Sequence, residues 1–204
     1  MSLLKELSVK PWERKGIIGG LEAKGTFDTS PEKVALVFFV VVASVVFSLF
    51  AVSYIIRMEL PDWAPLAEPT QLWFNTALLV LSSVFFQWAR NITKTGSNKN
   101  VMTAFVGAGL FAIMFIAGQY LTWENLQAEG FYMTSNPANA FYYLLTGVHA
   151  VHLLGGLWVW SIGLIRMISG VEAKELKLSI ELCAFYWHFL LIIWLIMFAL
   201  MANT

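Results

Sequence analysis

Five long apolar blocks separated by short polar connections dominate this chain of 204 residues. A bilayer core of about 30 Å needs about 20 apolar residues in a helix, and each block meets that length. The pattern predicts spans over 33–56, 72–89, 101–123, 138–165 and 178–201. No Asp, Glu, Lys, Arg or His lies between Val34 and Ile56 in the first. The second is the most polar, with Asn75, Ser82, Ser83 and Gln87. The fourth is long enough to require tilt or a protruding turn. Ser30-Pro31-Glu32 and Asn136-Pro137 each place a capping side chain before a proline at the first helical position.

Composition moves the reading from buried core to membrane. Hydrophobic residues make up 58% of the chain and charged ones 13%, about half the charged share of a soluble domain. Nine tryptophans suit interfacial belts. The predicted fold is therefore an all-α integral membrane bundle of five transmembrane helices. It divides into a tail, 1–30, and a five-helix domain, 31–204. No cleavable leader is read in the polar first thirty-three residues, so the first span is expected to direct insertion. Zero net charge gives no support to nucleic-acid binding, and one cysteine, Cys183, excludes a disulfide framework or cysteine metal site.

Lys and Arg orient the spans. The tail holds Lys5, Lys10, Arg14, Lys15, Lys24 and Lys33, and later loops add Arg90, Lys94, Lys99, Arg166, Lys174 and Lys177. Those are twelve of the thirteen basic residues. The opposite loops hold Arg57 beside Glu59, Asp62, Glu68, Glu124 and Glu129. Positive charge collects on the cytoplasmic side, so the N-terminus is expected inside and the C-terminus outside.

Intramembrane polar groups are costly and mark candidate sites. His149 and His152 lie three apart in the fourth span, and Glu181 and His188 seven apart in the fifth, each pair on one helix face. Antiparallel packing of these spans would bring Glu181 toward His152 and His188 toward the level of His149. Three readings are open. His149 and His188 could ligate a b-type haem, or the His-x-x-His pair with a carboxylate could hold a divalent metal. Glu181 could pass protons through His152. Or these groups could hydrogen-bond helices together or meet a lipid head group. Ala104, Ala108 and Ala112 form a small-residue stripe for close helix approach, and Gly147, Gly155 and Gly156 suit the same use. Ser44 and Ser48 suit bonding to backbone carbonyls. No nucleotide loop or Ser-His-Asp triad is visible, and the chain alone looks catalytically empty.

The last two spans carry a resemblance. Phe141 to Gly156 reads FYYLLTGVHAVHLLGG and Glu181 to Trp194 reads ELCAFYWHFLLIIW. This resembles subunit III of the haem–copper oxidases. That family's penultimate helix carries Thr-Gly-x-His-x-x-His-x-x-x-Gly, matched by Thr146, Gly147, His149, His152 and Gly156. Its last helix carries Glu followed five residues later by Tyr-Trp-His-Phe, matched by Glu181, Tyr186, Trp187, His188 and Phe189. Gln119, Trp123 and Leu126 are similar to the end of the preceding family helix. The likeness extends over the membrane region but not the tail.

The resemblance implies the short bacterial form with five helices, multi-pass in the cytoplasmic (inner) membrane. It implies an accessory subunit of a respiratory terminal oxidase, not an enzyme by itself. Such a subunit stabilises the catalytic subunit, supports proton uptake and protects against turnover inactivation while oxygen is reduced and protons are pumped. No haem or copper is implied in this chain; both are expected in the partner catalytic subunit I. Subunit II, further subunits and bound phospholipid are the other implied partners. Glu181, His149, His152, His188, Tyr186 and Trp187 form the candidate polar cluster, structural, lipid-related or proton-related. Family members often carry a glutamate midway along the helix matching the first span, and none stands there here. A proton-antenna role through that position therefore does not transfer. Accessory subunits of quinol oxidases and nitric oxide reductases share these patterns, and a self-sufficient b-type haem protein is the alternative from a different class.

Overall fold

The computed structural model describes residues 30–65, 70–94 and 97–203. The expected tail falls outside the described residues, apart from Ser30. Five α-helices follow one another: α1 Pro31–Met58, α2 Gln71–Ile92, α3 Asn98–Ala128, α4 Pro137–Ile168 and α5 Lys177–Ala202. All five are long and apolar enough to cross a membrane, and no strand occurs among the described residues. The chain divides into two units, 1–35 and 36–204. In the first, the described residues open α1, where the Ser30 carbonyl accepts from the Lys33 and Val34 amides. All packing below concerns the second.

Every helix outruns its predicted span. The apolar pattern stops at the first charge or amide, whereas a helix continues through the headgroup region, where its ends can reach water. The 32 residues of α4 rise about 48 Å at about 1.5 Å each, more than a hydrocarbon core requires. Helix ends follow local chemistry. The Asn136 side chain accepts from the Ala138 amide at 2.9 Å, the expected cap. The Ser30 hydroxyl has no partner, because the early amides go to the Ser30 carbonyl. Gly130 and Gly170 take φ of +89° and +90° just past α3 and α4. There the Phe131 amide reaches the Leu126 carbonyl and the Val171 amide the Arg166 carbonyl, a left-handed stop that favours glycine.

Helices α2 to α5 interlock through close approaches and side-chain bonds. Ser82 Oγ donates to the Ala108 carbonyl across α2 and α3 at 2.8 Å. Ala104, Ala108 and Ala112 are completely buried, as their spacing predicts. Trp160 Nε1 donates to the Phe105 carbonyl at 2.9 Å across α3 and α4, over Gly109, where an added Cβ would lie 2.1 Å from the indole. Trp194 Nε1 donates to Thr76 Oγ1 at 2.9 Å across α2 and α5.

Helix α1 is the least buried: its buried residues are Ala43, Phe47 and Tyr54. It meets the bundle through aromatic rings, with Tyr54 against Phe141 at 5.5 Å and Phe47 against His152 at 5.2 Å. Ser44 and Ser48 bond back to the Val40 and Ser44 carbonyls, as predicted. In the last turn of α1, Arg57 donates to both Asp62 carboxylate oxygens, and this bond holds the Asp62 carboxyl below the usual carboxylate range.

Candidate functional site

The register between α4 and α5 decides what the polar cluster is. The His149 ring lies 5.3 Å from that of Trp194. Trp187 covers Gly156, where an added Cβ would fall 2.6 Å from the indole. Tyr186 Oη donates to the His152 carbonyl at 3.1 Å. These pairings put Glu181 beside Ser161 or Ile162, on the order of 13 Å along the axis from His152. The expected approach of Glu181 to His152 is therefore not made. The antiparallel argument located both groups by depth alone, and the register displaces them by more than two turns.

The three histidines face three surroundings. His149 is 1% exposed, walled by Phe47, Phe115 and Trp194 at ring distances of 6.4, 6.1 and 5.3 Å. Neither of its ring nitrogens has a hydrogen-bond partner. His152 turns toward α1, between Phe39 and Phe47, and its Nδ1 bonds the Val148 carbonyl at 2.8 Å. A three-residue step rotates about 60° around a helix, enough to send one ring inward and the next sideways.

His188 points away from α4. Its Nδ1 pairs with Ser83 Oγ at 2.5 Å and its Nε2 with Gln87 Oε1 at 3.0 Å, both on α2. With the proton on Nε2, Ser83 donates to Nδ1 and the ring donates to Gln87, so every polar atom of a neutral imidazole is used. Gln87 in turn donates to Asn91 at 3.0 Å. The expected alignment of His188 with His149 is not formed. The four-residue spacing of Ser83 and Gln87 is the signal in the sequence that they share a face.

Trp187 is fully buried with its ring 4.5 Å from Phe86, and Tyr186 lies between α1 and α4. Among the described residues, no group of three His, Cys, Asp or Glu side chains is placed to hold a metal ion. What this arrangement does chemically is join helices: one histidine to α2, another against α1, a third inside an aromatic box.

These features define a multi-pass helical membrane protein whose membrane-embedded histidines are built into helix packing. The sequence profile of the family Cytochrome c oxidase subunit III matches residues 31–202. The chain belongs to that family. A probable cytochrome c oxidase subunit 3 of Nocardia farcinica is 30% identical over 157 residues, covering 74% of this chain and 76% of that one. Cytochrome c oxidase subunit 3 of Synechocystis sp. is 28% identical over 171 residues, covering 81% and 72%. The Arabidopsis thaliana subunit 3 is 30% identical over 139 residues, 68% of this chain but 51% of its own length. The chain thus matches about three quarters of the two bacterial relatives and half of the plant protein.

Proposed function

We propose that this chain is a non-catalytic subunit III of a bacterial respiratory terminal oxidase that reduces oxygen and pumps protons. It lies in the cytoplasmic membrane with its N-terminus inside, beside a catalytic subunit I that holds haem and copper, and with subunit II in the same complex. It binds no haem or copper itself. Its contribution is to stabilise the catalytic subunit and support proton uptake. The observation that carries the non-catalytic reading is the dispersal of the three histidines. A haem between α4 and α5 would need His149 and His188 to face each other, yet His188 is committed to Ser83 and Gln87 on α2.

The test is to delete the chain from its host and purify the remaining oxidase in mild detergent. The expected outcome is an oxidase that keeps its full haem and copper content and initial oxygen consumption but loses activity faster during turnover. Loss of one haem per complex on deletion would sink the proposal.

A further inference from the structure

Unpartnered polar atoms gather in one half of the α2–α5 interior, toward the end marked by Glu124 and Glu129. They are Asn75 Oδ1, both polar atoms of the Gln119 amide, Asn139 Oδ1, Tyr142 Oη and both ring nitrogens of His149. Every one of these residues is at most 4% exposed. On α4, Asn139 to His149 covers roughly 15 Å of axis. Gln119 stands one turn from Phe115, which touches His149, and Asn75 lies against Gly118. The atoms lie on three helices, α2, α3 and α4, of which α3 packs against both of the others.

Protein groups nearby are already spent. Asn75 Nδ2 donates to Thr122 Oγ1, which donates to the Gly118 carbonyl. Trp123 Nε1 donates to Thr146 Oγ1, which donates to the Tyr142 carbonyl. The other half differs in degree: Ser82, Ser83 and Trp160 have partners there, while Trp187 Nε1 has none.

Folded proteins leave few buried polar atoms unpaired, and the hydrocarbon outside offers no substitute partner. Buried water is the usual remedy, each molecule making two to four bonds to such groups. We infer that the interior bounded by Asn75, Gln119, Asn139, Tyr142 and His149 is a binding site for ordered water. The site is blind: Phe115 and Trp194, with rings 5.0 Å apart, pack beside His149. It holds water without making a path across the membrane, and the neutral His149 ring donates to one water and accepts from another.

Radiolytic footprinting of the purified complex in 18O-labelled water tests this, because bound water oxidises side chains that bulk water cannot reach. Phe115 and Phe105 are equally buried phenylalanines, one beside His149 and one beside Trp160, whose Nε1 already has its partner. The expected result is 18O incorporation at Phe115 and Tyr142 several-fold above that at Phe105. A companion variant, Gln119→Met, keeps side-chain length and removes two polar atoms. In a wet site it strands the waters, reducing labelling at Phe115 and lowering the melting temperature. Labelling of Phe115 no faster than of Phe105 in the unsubstituted protein overturns the inference whether or not the variant assembles. A higher melting temperature for the variant does the same, since it would mean that the amide was unpaired in a dry core.

Discussion

At the scale of single residues, two adjacent glycines make a controlled comparison. A Cβ at Gly156 would meet the Trp187 ring at 2.6 Å, whereas one at Gly155 meets nothing within 4 Å. Trp187 is fully buried under Phe86 and has little room to retreat. Overpacking of this kind costs about 1–3 kcal/mol. Gly156→Ala should lower the thermal unfolding midpoint in detergent, and Gly155→Ala should not. Equal midpoints for the two variants would show that α4 and α5 are not held by this contact. His188→Ala is a second case. It leaves Ser83 and Gln87 without their shared partner, at a cost of about 1–3 kcal/mol. The expected readout is reduced stability of the chain with unchanged haem content in the complex. A spectrum missing one haem would revive the ligand reading.

At the scale of helices, the polar contacts explain how the spans associate in a solvent that gives apolar faces no drive to pair. Small residues permit close approach, and a few hydrogen bonds select partners. Helix α1 uses aromatic rings instead, and Phe38, Val42, Val45, Leu49, Val52 and Ile56 on it are all more than half exposed. Lipid covers such a face as well as protein does. Leu49→Ala should therefore leave stability unchanged, whereas Phe47→Ala removes the ring shared by His149 and His152 and should loosen α1. Protease accessibility of a site engineered after Met58 reports the difference; equal cleavage in both variants would remove Phe47 from this role. Orientation is also a property of the helices. Reporter fusions after Lys94 and Lys174 should read cytoplasmic and fusions after Asp62, Glu129 and Thr204 external, following the basic loops. A cytoplasmic reading at Thr204 would contradict the charge argument.

At the scale of the whole molecule, the interior does two different things. In the half holding Ser82, Ser83 and Trp160 direct bonds satisfy the polar side chains apart from Trp187 Nε1, and in the half holding Gln119 and His149 several polar atoms have no protein partner. Neither half brings histidines together as paired ligands. The purified single chain should accordingly show no Soret band and no stoichiometric iron, copper or zinc. A visible spectrum with metal analysis checks this, and a haem band would refute the accessory reading. The same dispersal bears on Glu181. With His152 more than two turns away, a direct Glu181–His152 relay has no geometry to use, so Glu181→Gln should assemble and release protons normally. Full assembly with most proton release lost would return the residue to a proton path.

Much of this was legible in the sequence because it depends on local quantities. Span number follows from apolar length, the Asn136 cap from two adjacent residues, and the small-residue stripe of α3 from a four-residue repeat. The family followed from short motifs on the last two spans. Which histidine faces which helix was not legible. That depends on the axial register of α4 against α5, set where Trp187 closes over Gly156 and Trp194 lies beside His149. A slide of one turn would leave every span equally apolar and every motif intact, yet would change every polar pairing. Hydrophobic length determined that this chain crosses the membrane five times, and only side-chain interlocking between helices decided that its histidines serve α1, α2 and the core separately.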